Sequence, residues 1–228
     1  MANRARVLMA WSSGKDSAWA LHELRRDPNL QVEGLLTTLS RSERAVPIHG
    51  VAEALVDAQA GALQLPLAKV WLPSPCTNVD YERELGAALL DARKQGITHL
   101  AFGDLFLEDV RRYRETSLRD AGLSLLFPLW GRETGALATE MVAGGLRCLV
   151  TAVDTTQLDG RWAGSEFDRP FLGELPSGVD PCGERGEFHT FVYDGPMFAR
   201  PVPIIRGLQR TDGRFETVDL RLRQESIS

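Results

Sequence analysis

The sequence predicts an α/β fold, a Rossmann-like doubly wound parallel sheet followed by a small C-terminal α+β appendage. Three observations predict it. Short apolar runs alternate with stretches of helical periodicity over the first two-thirds of the chain. A turn of small residues that contains a lysine, residues 12–17, follows the first apolar run. From about residue 155, the chain becomes rich in glycine, proline and acidic residues, and apolar runs separated by turn signals follow.

The apolar runs of the first part predict strands because each is short and is bounded by turn residues. These strands cover residues 6–11, 32–39, 67–72, 98–105, 123–128 and 146–153. Apolar residues spaced by three and four predict the intervening helices, at residues 17–26, 49–63, 78 to about 95, 108–121 and 133–143. Asn78 is the predicted N-cap of the third helix, and glycines follow the last three helices as stop signals.

The tail has a different organisation. Residues 154–187 are rich in glycine, proline, aspartate and glutamate, and residues 188–193, 202–209 and 215–223 predict strands. Asp194-Gly195 and Asp212-Gly213 are turn signals beside these strands. We therefore expect two domains, residues 1–154 and residues 155–228.

Composition narrows the class of protein. The chain has 228 residues, of which 43% are hydrophobic, so it can bury a full core. Its net charge is −5. Nucleic-acid-binding domains usually carry an excess of basic residues, which this chain lacks, so we expect no nucleic-acid partner. No apolar run has the length of a membrane span or a signal peptide. The three cysteines form no C-x-x-C pair, which argues against a zinc ribbon and fits a reduced, cytoplasmic compartment.

Residues 12–17, with the sequence SSGKDS, form the strongest candidate site. Small residues let the backbone approach an anion, and the following helix adds the positive end of its dipole. Lys15 adds a mobile positive charge for phosphate oxygens. Asp16 would hold a cation or cap the helix, and Ser17 would cap it or contact phosphate. The alternative is a serine–glycine turn whose exposed lysine and aspartate cap a helix.

Other candidates lie at the predicted carboxyl ends of strands, where ligands bind in such sheets. Thr37 and the Gly103-Asp104 pair fall there. The charged run after Asp104 would place Glu108, Arg111 and Glu115 on one side of a helix. The alternative for that run is a solvated, salt-bridged helix face.

A second cluster, residues 178–190, combines glycines with carboxylates and a histidine. The two-residue period of a strand predicts that Glu187 and His189 share one face. Such a pair can bind a metal, orient a polar substrate or move a proton. The alternative is an acidic hairpin entry with a surface histidine. His49 would contact phosphate or an acceptor, or else cap a helix.

Three stretches together resemble the diphthine–ammonia ligase family of PP-loop ATP pyrophosphatases. They are SSGKDS at 12–17, GDLFLEDVRRYRE at 103–115 and GERGEFHTFVYDGPMF at 183–198. The resemblance implies the adenine nucleotide α-hydrolase-like fold. It also implies cleavage of ATP between the α and β phosphates, transfer of AMP to a carboxylate, and amide formation with ammonia.

The resemblance implies ATP and Mg²⁺ as cofactors. Together with the candidates at the strand ends and in the second cluster, it leads to three predicted groups of site residues. The nucleotide-binding group is Ala10, Trp11, Ser12, Ser13, Gly14, Lys15, Asp16, Ser17, Leu36, Thr37, His49, Gly103 and Asp104, with Asp16 as metal ligand. The acceptor-binding group is Asn78, Tyr81, Glu82, Glu108, Arg111 and Glu115. The catalytic group is Lys15, Glu184, Glu187 and His189.

The chain departs from the family pattern at three positions. Ser13 and Arg185 stand where the family has glycine, and His189 replaces a glutamate. We therefore expect the adenylation chemistry, with a small-molecule or protein carboxylate as acceptor and ammonia as the second partner. The alternatives are a PP-loop enzyme that modifies RNA and a non-catalytic adenine-nucleotide-binding module. The apolar tail strands also allow a homodimer.

Overall fold

The computed structural model describes residues 4–47 and 50–223. The chain divides into two units. The first holds the chain up to Ser12, Asp16–Glu53 and Leu65–Arg132, and the second holds Ser13–Lys15, Ala54–Gln64 and the chain from Glu133. The boundary predicted between residues 154 and 155 falls inside the second unit.

The described residues contain strands in two sheets. The strands are β1 (Ala5–Ala10), β2 (Leu30–Ser40), β3 (Leu67–Leu72), β4 (His99–Ala101), β5 (Ser124–Leu126), β6 (Arg147–Asp154), β7 (Phe188–Asp194), β8 (Ile204–Asp212) and β9 (Phe215–Leu222). The helices are α1 (Lys15–Arg26), α2 (Glu53–Leu63), α3 (Asn78–Lys94), α4 (Glu108–Ser117), α5 (Thr134–Ala143) and α6 (Arg169–Glu174).

The first sheet is parallel, in the order β3-β2-β1-β4-β5, which confirms the predicted Rossmann-like α/β class. Its core includes Leu36 of β2, Val70 of β3, Leu100 of β4 and Leu89 of α3, all buried. The strand order reverses direction between β1 and β4, so the segments after these two strands flank the switch point, where ligands bind in open α/β sheets.

The second sheet is antiparallel, in the order β7-β6-β9-β8. The segment 146–153 forms a strand, as predicted, but the prediction that this strand extends the parallel sheet is wrong. Strand β6 pairs with β7 and β9 in the antiparallel sheet instead. Nearly all residues of β6 are buried, so its sequence shows no alternation that would distinguish a strand of the parallel sheet from a strand of the antiparallel sheet. Phe167, Phe171 and Phe188 form an aromatic cluster in this unit.

Several helix ends differ from the predictions. The N-cap of α3 is Thr77 rather than Asn78, because Thr77 and Asp80 form a reciprocal capping box. The fourth helix ends at Ser117, and a short 3₁₀ turn follows before Gly122, which has a left-handed backbone. Helix α6 lies in the segment 154–187, for which the sequence predicts no individual helix, and Asp168 caps it. No helix in the described part of the chain has the length and hydropathy to cross a membrane.

Candidate active site

The start of α1 is packed tightly within the first unit. The hydroxyl of Ser12 donates a hydrogen bond to the hydroxyl of Ser17 at 3.2 Å. Gly103 lies so close that a Cβ there would be 2.7–2.9 Å from backbone atoms of Asp16 and Ser17. Only glycine fits this contact without a shift of the backbone. The segment after β4 therefore abuts the phosphate-loop candidate, residues 12–17, as the sequence predicts.

The middle of this loop is held within the second unit. Ser13 has a left-handed backbone with φ of 72° and is fully buried. Its carbonyl accepts hydrogen bonds from Nε2 of Gln59 at 3.0 Å and from the backbone N–H of Val192 at 3.0 Å. The backbone N–H of Lys15 donates to Oγ1 of Thr190 at 3.1 Å. The conformation of the loop is thus fixed by groups on α2 and β7.

The side chain of Lys15 is buried rather than exposed, which favours the site over the alternative of a solvated turn. Its Nζ donates to the carbonyl of Cys182 and lies 5.8 and 5.4 Å from the ring centroids of Phe167 and Phe188. A carbonyl oxygen and the faces of two aromatic rings are groups that stabilise a buried ammonium. The lysine therefore links the loop to the segment around Cys182.

Two buried carboxylates shape that segment, which we call the acidic loop, residues 180–187. Asp180 accepts hydrogen bonds from the Thr134 hydroxyl and the Cys182 N–H, both at 2.8 Å. Glu187 is 1% exposed and accepts from the N–H groups of Asp180 and Arg185, both at 2.9 Å. Glu187 precedes β7, and its carboxylate binds the backbone of its own loop.

His189 lies on β7 and is largely shielded from water. Burial, and then the positive charge of Lys15, lower the pKa of His189 to about 4. The imidazole is therefore neutral at neutral pH and keeps a lone pair that can accept a proton or a hydrogen bond. Glu184, the remaining predicted catalytic group, is only partly buried.

Strand β2 brings a polar group into the core at the predicted nucleotide region. The hydroxyl of Thr37 is buried and has no hydrogen-bond partner among the described residues. Because a buried hydroxyl without a partner is costly, it marks a place where a ligand can bind. Next to it, the carbonyl of Leu36 accepts from the N–H of Trp11 at 2.7 Å, and the Trp11 ring is buried. Ala10 ends β1 and is partly buried.

The predicted acceptor group divides between α3 and α4. The guanidinium of Arg114 donates to both carboxylate oxygens of Asp104, at 2.6 and 3.0 Å, and lies 4.2 Å from the Phe102 ring centroid. Burial raises the pKa of the neighbouring Tyr81 phenol. Asp104, predicted to close a nucleotide crevice, is therefore engaged by α4 in this structure.

A second arginine of α4 lies against aromatic rings. The guanidinium of Arg111 is 4.7 Å from the ring centroids of both Phe127 and Trp130, and it pairs with Glu115 at 2.8 Å. The other predicted acceptor residues lie at the start of helices α3 and α4, where Asn78, Glu82 and Glu108 are exposed. Glu82 accepts a hydrogen bond from the hydroxyl of Tyr113 at 3.2 Å. His49 lies outside the described residues.

Within residues 4–47 and 50–223, no three His, Cys, Asp or Glu side chains form a group that could bind a metal ion by themselves. Magnesium does not require such a group, since it is usually held by one or two carboxylates together with phosphates and water. A single carboxylate at the start of α1, Asp16, is compatible with that mode.

Several residues that build the site were not among the predicted site residues. The side chains of Gln59, Asp180, Thr190 and Arg114 form hydrogen bonds with Ser13, Glu184, Lys15 and Asp104, respectively. Gln59 had a detectable signal, because it falls at the spacing of the apolar face of α2, where a buried amide needs partners. Thr190 lies 175 positions from Lys15, so no local pattern pairs them, whereas Asp180 and Arg114 lie close in the chain to the residues that they hold.

The strand order, with a small-residue loop at the switch point, defines a Rossmann-like α/β protein. Family models agree with that class. The model of the diphthamide synthase N-terminal domain matches residues 5–125, and the model of the diphthamide synthase C-terminal domain matches residues 133–218. The chain therefore belongs to the diphthamide synthase family.

Curated relatives carry the name diphthine–ammonia ligase. The rat protein is 28% identical over 230 residues, which cover 87% of this chain and 82% of the rat protein. The mouse protein is 28% identical over 228 residues, with the same two coverages. The human protein is 28% identical over 163 residues, which cover 64% of this chain and 61% of the human protein.

Proposed function

We propose that this protein is an ATP-dependent ligase that adenylates a carboxylate and converts it to an amide with ammonia. The observation that carries the proposal is the loop of residues 12–17, which follows β1 and leads into α1. Gly103 packs so closely against the start of α1 that a Cβ at position 103 would lie 2.7 Å from a backbone atom of Asp16. Backbone N–H groups and a helix N-terminus at a switch point suit polyphosphate. The name of the relatives, diphthine–ammonia ligase, supports the ligase class of the proposal.

The reaction has two balanced steps. A carboxylate oxygen of the acceptor attacks the α-phosphorus of ATP, and the bond to the β-phosphate oxygen breaks, so that pyrophosphate leaves. The nitrogen of ammonia then attacks the acyl carbon, AMP leaves with the original carboxylate oxygen, and the nitrogen loses a proton to a base. The products are an amide, AMP and pyrophosphate.

The loop is proposed to bind the phosphates. Its N–H groups and the Lys15 ammonium, which the Cys182 carbonyl orients, would stabilise negative charge that develops on the phosphates. Asp16 is the residue proposed to hold Mg²⁺, which when bound offsets phosphate charge. The buried Thr37 hydroxyl, which has no partner among the described residues, would bond the nucleoside.

His189 and Glu184 are proposed to act on the ammonia side. Because its imidazole is neutral, His189 can accept a hydrogen bond from ammonia and then the proton that the nitrogen releases. The contacts of Glu187 favour a different role from the catalytic one expected. Its carboxylate accepts two backbone N–H groups of the acidic loop, so we propose that Glu187 positions the loop.

The acceptor is proposed to be recognised from α3 and α4. Arg111 is partly exposed and is oriented by two aromatic rings and Glu115, which suits a guanidinium that binds an anionic group. Asn78, Tyr81, Glu82 and Glu108 would complete this group. The relatives' name makes diphthine the first acceptor to test, followed by other protein and small-molecule carboxylates.

Product analysis tests the proposal. Purified protein is incubated with ATP, Mg²⁺, ammonium and candidate carboxylates, and we expect acceptor-dependent AMP and pyrophosphate in equal amounts. Asp16→Asn should lower this turnover by about 100-fold, a loss of the size seen for single electrostatic groups. Asp91→Asn, which changes an exposed aspartate of α3, is the matched control and should leave turnover unchanged. Formation of ADP and phosphate instead would contradict the proposal.

A further inference from the structure

Ser13 occupies a backbone conformation that favours glycine. Its φ is 72°, and its side chain is fully buried. A residue with a Cβ pays an energetic cost in this left-handed region, and such residues persist only where their surroundings hold them. The next residues, Gly14 and Lys15, continue the loop proposed to bind phosphate. Something must therefore hold Ser13 in place for the loop to keep its shape.

Gln59 supplies that restraint from α2. Its side chain is fully buried, and its Nε2 donates to the carbonyl of Ser13 at 3.0 Å and to the carbonyl of Val192 at 2.6 Å. The N–H of Val192 donates in turn to the same Ser13 carbonyl at 3.0 Å. The Ser13 carbonyl is thus held from a helix and from a strand at once.

The chemistry of the glutamine amide suits this position. One nitrogen carries two N–H donors, and these satisfy two carbonyl oxygens without placing a charge in the core. A glutamate would place carboxylate oxygens against the same carbonyls, and a methionine of similar length would leave both without this donor. The buried amide therefore has a function that an apolar residue on this helix face cannot supply.

We propose that Gln59 is a positioning residue that holds Ser13 in the left-handed conformation and so pre-forms the phosphate loop. The claim that this loop serves ATP rests on the proposed function. Gln59 touches neither substrate nor reacting atoms in this proposal, and it acts through the backbone of Ser13. Glycine at position 13 adopts the same φ without strain, so it should remove much of the need for Gln59.

A double-mutant cycle tests the proposal. Binding of ATP with Mg²⁺ is measured by calorimetry for the wild type, Gln59→Met, Ser13→Gly and the double variant. We expect Gln59→Met to weaken binding by about tenfold or more and Ser13→Gly to change it by less than about threefold. The double variant should bind within about threefold of Ser13→Gly, because its loop no longer depends on the restraint.

Two results would overturn the proposal. One is unchanged ATP affinity in Gln59→Met. The other is a loss of affinity in Gln59→Met that Ser13→Gly does not restore, because Gln59 would then act by a route other than Ser13. If Gln59→Met does not fold, Gln59→Asn enters the same cycle, since it keeps the amide and shortens the side chain by one methylene.

A second readout separates this proposal from the proposed function. If the wild type does not bind ATP, the proposed function fails, and the role of Gln59 is then decided by urea unfolding of the four proteins. We expect Ser13→Gly to raise the unfolding midpoint more in the Gln59→Met background than in the wild type. Equal increments in both backgrounds would overturn the positioning role.

Discussion

The guanidinium of Arg114 donates two hydrogen bonds to the carboxylate of Asp104, at 2.6 and 3.0 Å. The pair joins α4 to the segment after β4, and both side chains are less than a third exposed. Two parallel N–H···O bonds give this pair an orientation that a lysine cannot reproduce. The pair therefore fixes the polar helix α4, which carries no buried residue, at the edge of the sheet.

Removing the guanidinium should destabilise the protein. We expect Arg114→Ala to lower the free energy of unfolding by about 2–3 kcal/mol, because Asp104 is left as a partly buried carboxylate without its partner. Arg114→Lys should lose part of this. Urea unfolding measures the change, with the exposed Arg112→Ala as control, for which less than about 0.5 kcal/mol is expected. Equal losses in the two alanine variants would contradict the structural role of the pair.

The buried carboxylate of Glu187 should be sensitive to an isosteric change. Its oxygens accept N–H groups from Asp180 and Arg185. Glu187→Gln replaces one acceptor by an NH₂ group that meets a donor, so we expect a loss of about 1–3 kcal/mol in the free energy of unfolding. Glu184→Gln, on the same loop, should change it by less than about 0.5 kcal/mol. The reverse order of the two losses would contradict the role assigned to Glu187.

Gly103 should tolerate no side chain. A Cβ would lie 2.7 Å from a backbone carbon of Asp16 and 2.8 Å from the backbone nitrogen of Ser17. Gly103→Ala should therefore displace the start of α1 and cost about 1–3 kcal/mol of stability. Gly61→Ala is the matched control, since a Cβ on that helical glycine meets nothing within 4 Å and alanine favours helix. Thermal unfolding should show opposite shifts, and a stabilised Gly103→Ala would contradict the close packing.

The neutral state of His189 predicts a pH dependence of stability. Its folded-state pKa of about 4 lies below the value of about 6.5 for an unfolded chain. Between these values the unfolded state binds a proton that the folded state does not, so stability falls as the pH is lowered from about 6.5 to 4. Relative to His189→Gln, the wild type should lose about 3 kcal/mol over this range. Parallel pH profiles for the two proteins would show that His189 is not shielded.

Local pattern predicted much of the fold. The third strand matches the prediction at both ends, residues 67–72, because Pro66 and Pro73 bound a compact apolar run. The parallel order could be inferred because strands alternate with helices. The sheet to which β6 belongs could not be inferred. A strand that is buried on both faces has the same apolar sequence whether it lies in the parallel or in the antiparallel sheet. Its partners, β7 and β9, follow it in the chain after a long irregular segment.

For the candidate site, the sequence pattern indicates candidate residues but not the contacts that hold them. The loop at residues 12–17 and its neighbour Gly103 have local signatures of small residues at strand ends. The restraint on Ser13 has no such signature, because Gln59 lies 46 positions away and Val192 lies on β7, far along the chain, so no local pattern pairs them with Ser13. Likewise, no local pattern indicates that the Glu187 carboxylate accepts the backbone N–H groups of Asp180 and Arg185.

An isotope experiment tests the central claim, that ATP activates a carboxylate by transfer of AMP. The acceptor is prepared with oxygen-18 in its carboxylate, and the nucleotide product of a reaction with ATP, Mg²⁺ and ammonium is analysed by mass spectrometry. We expect AMP to carry one oxygen-18 atom, because the attacking oxygen leaves with the α-phosphate. Unlabelled AMP, or label found only in inorganic phosphate, would contradict it.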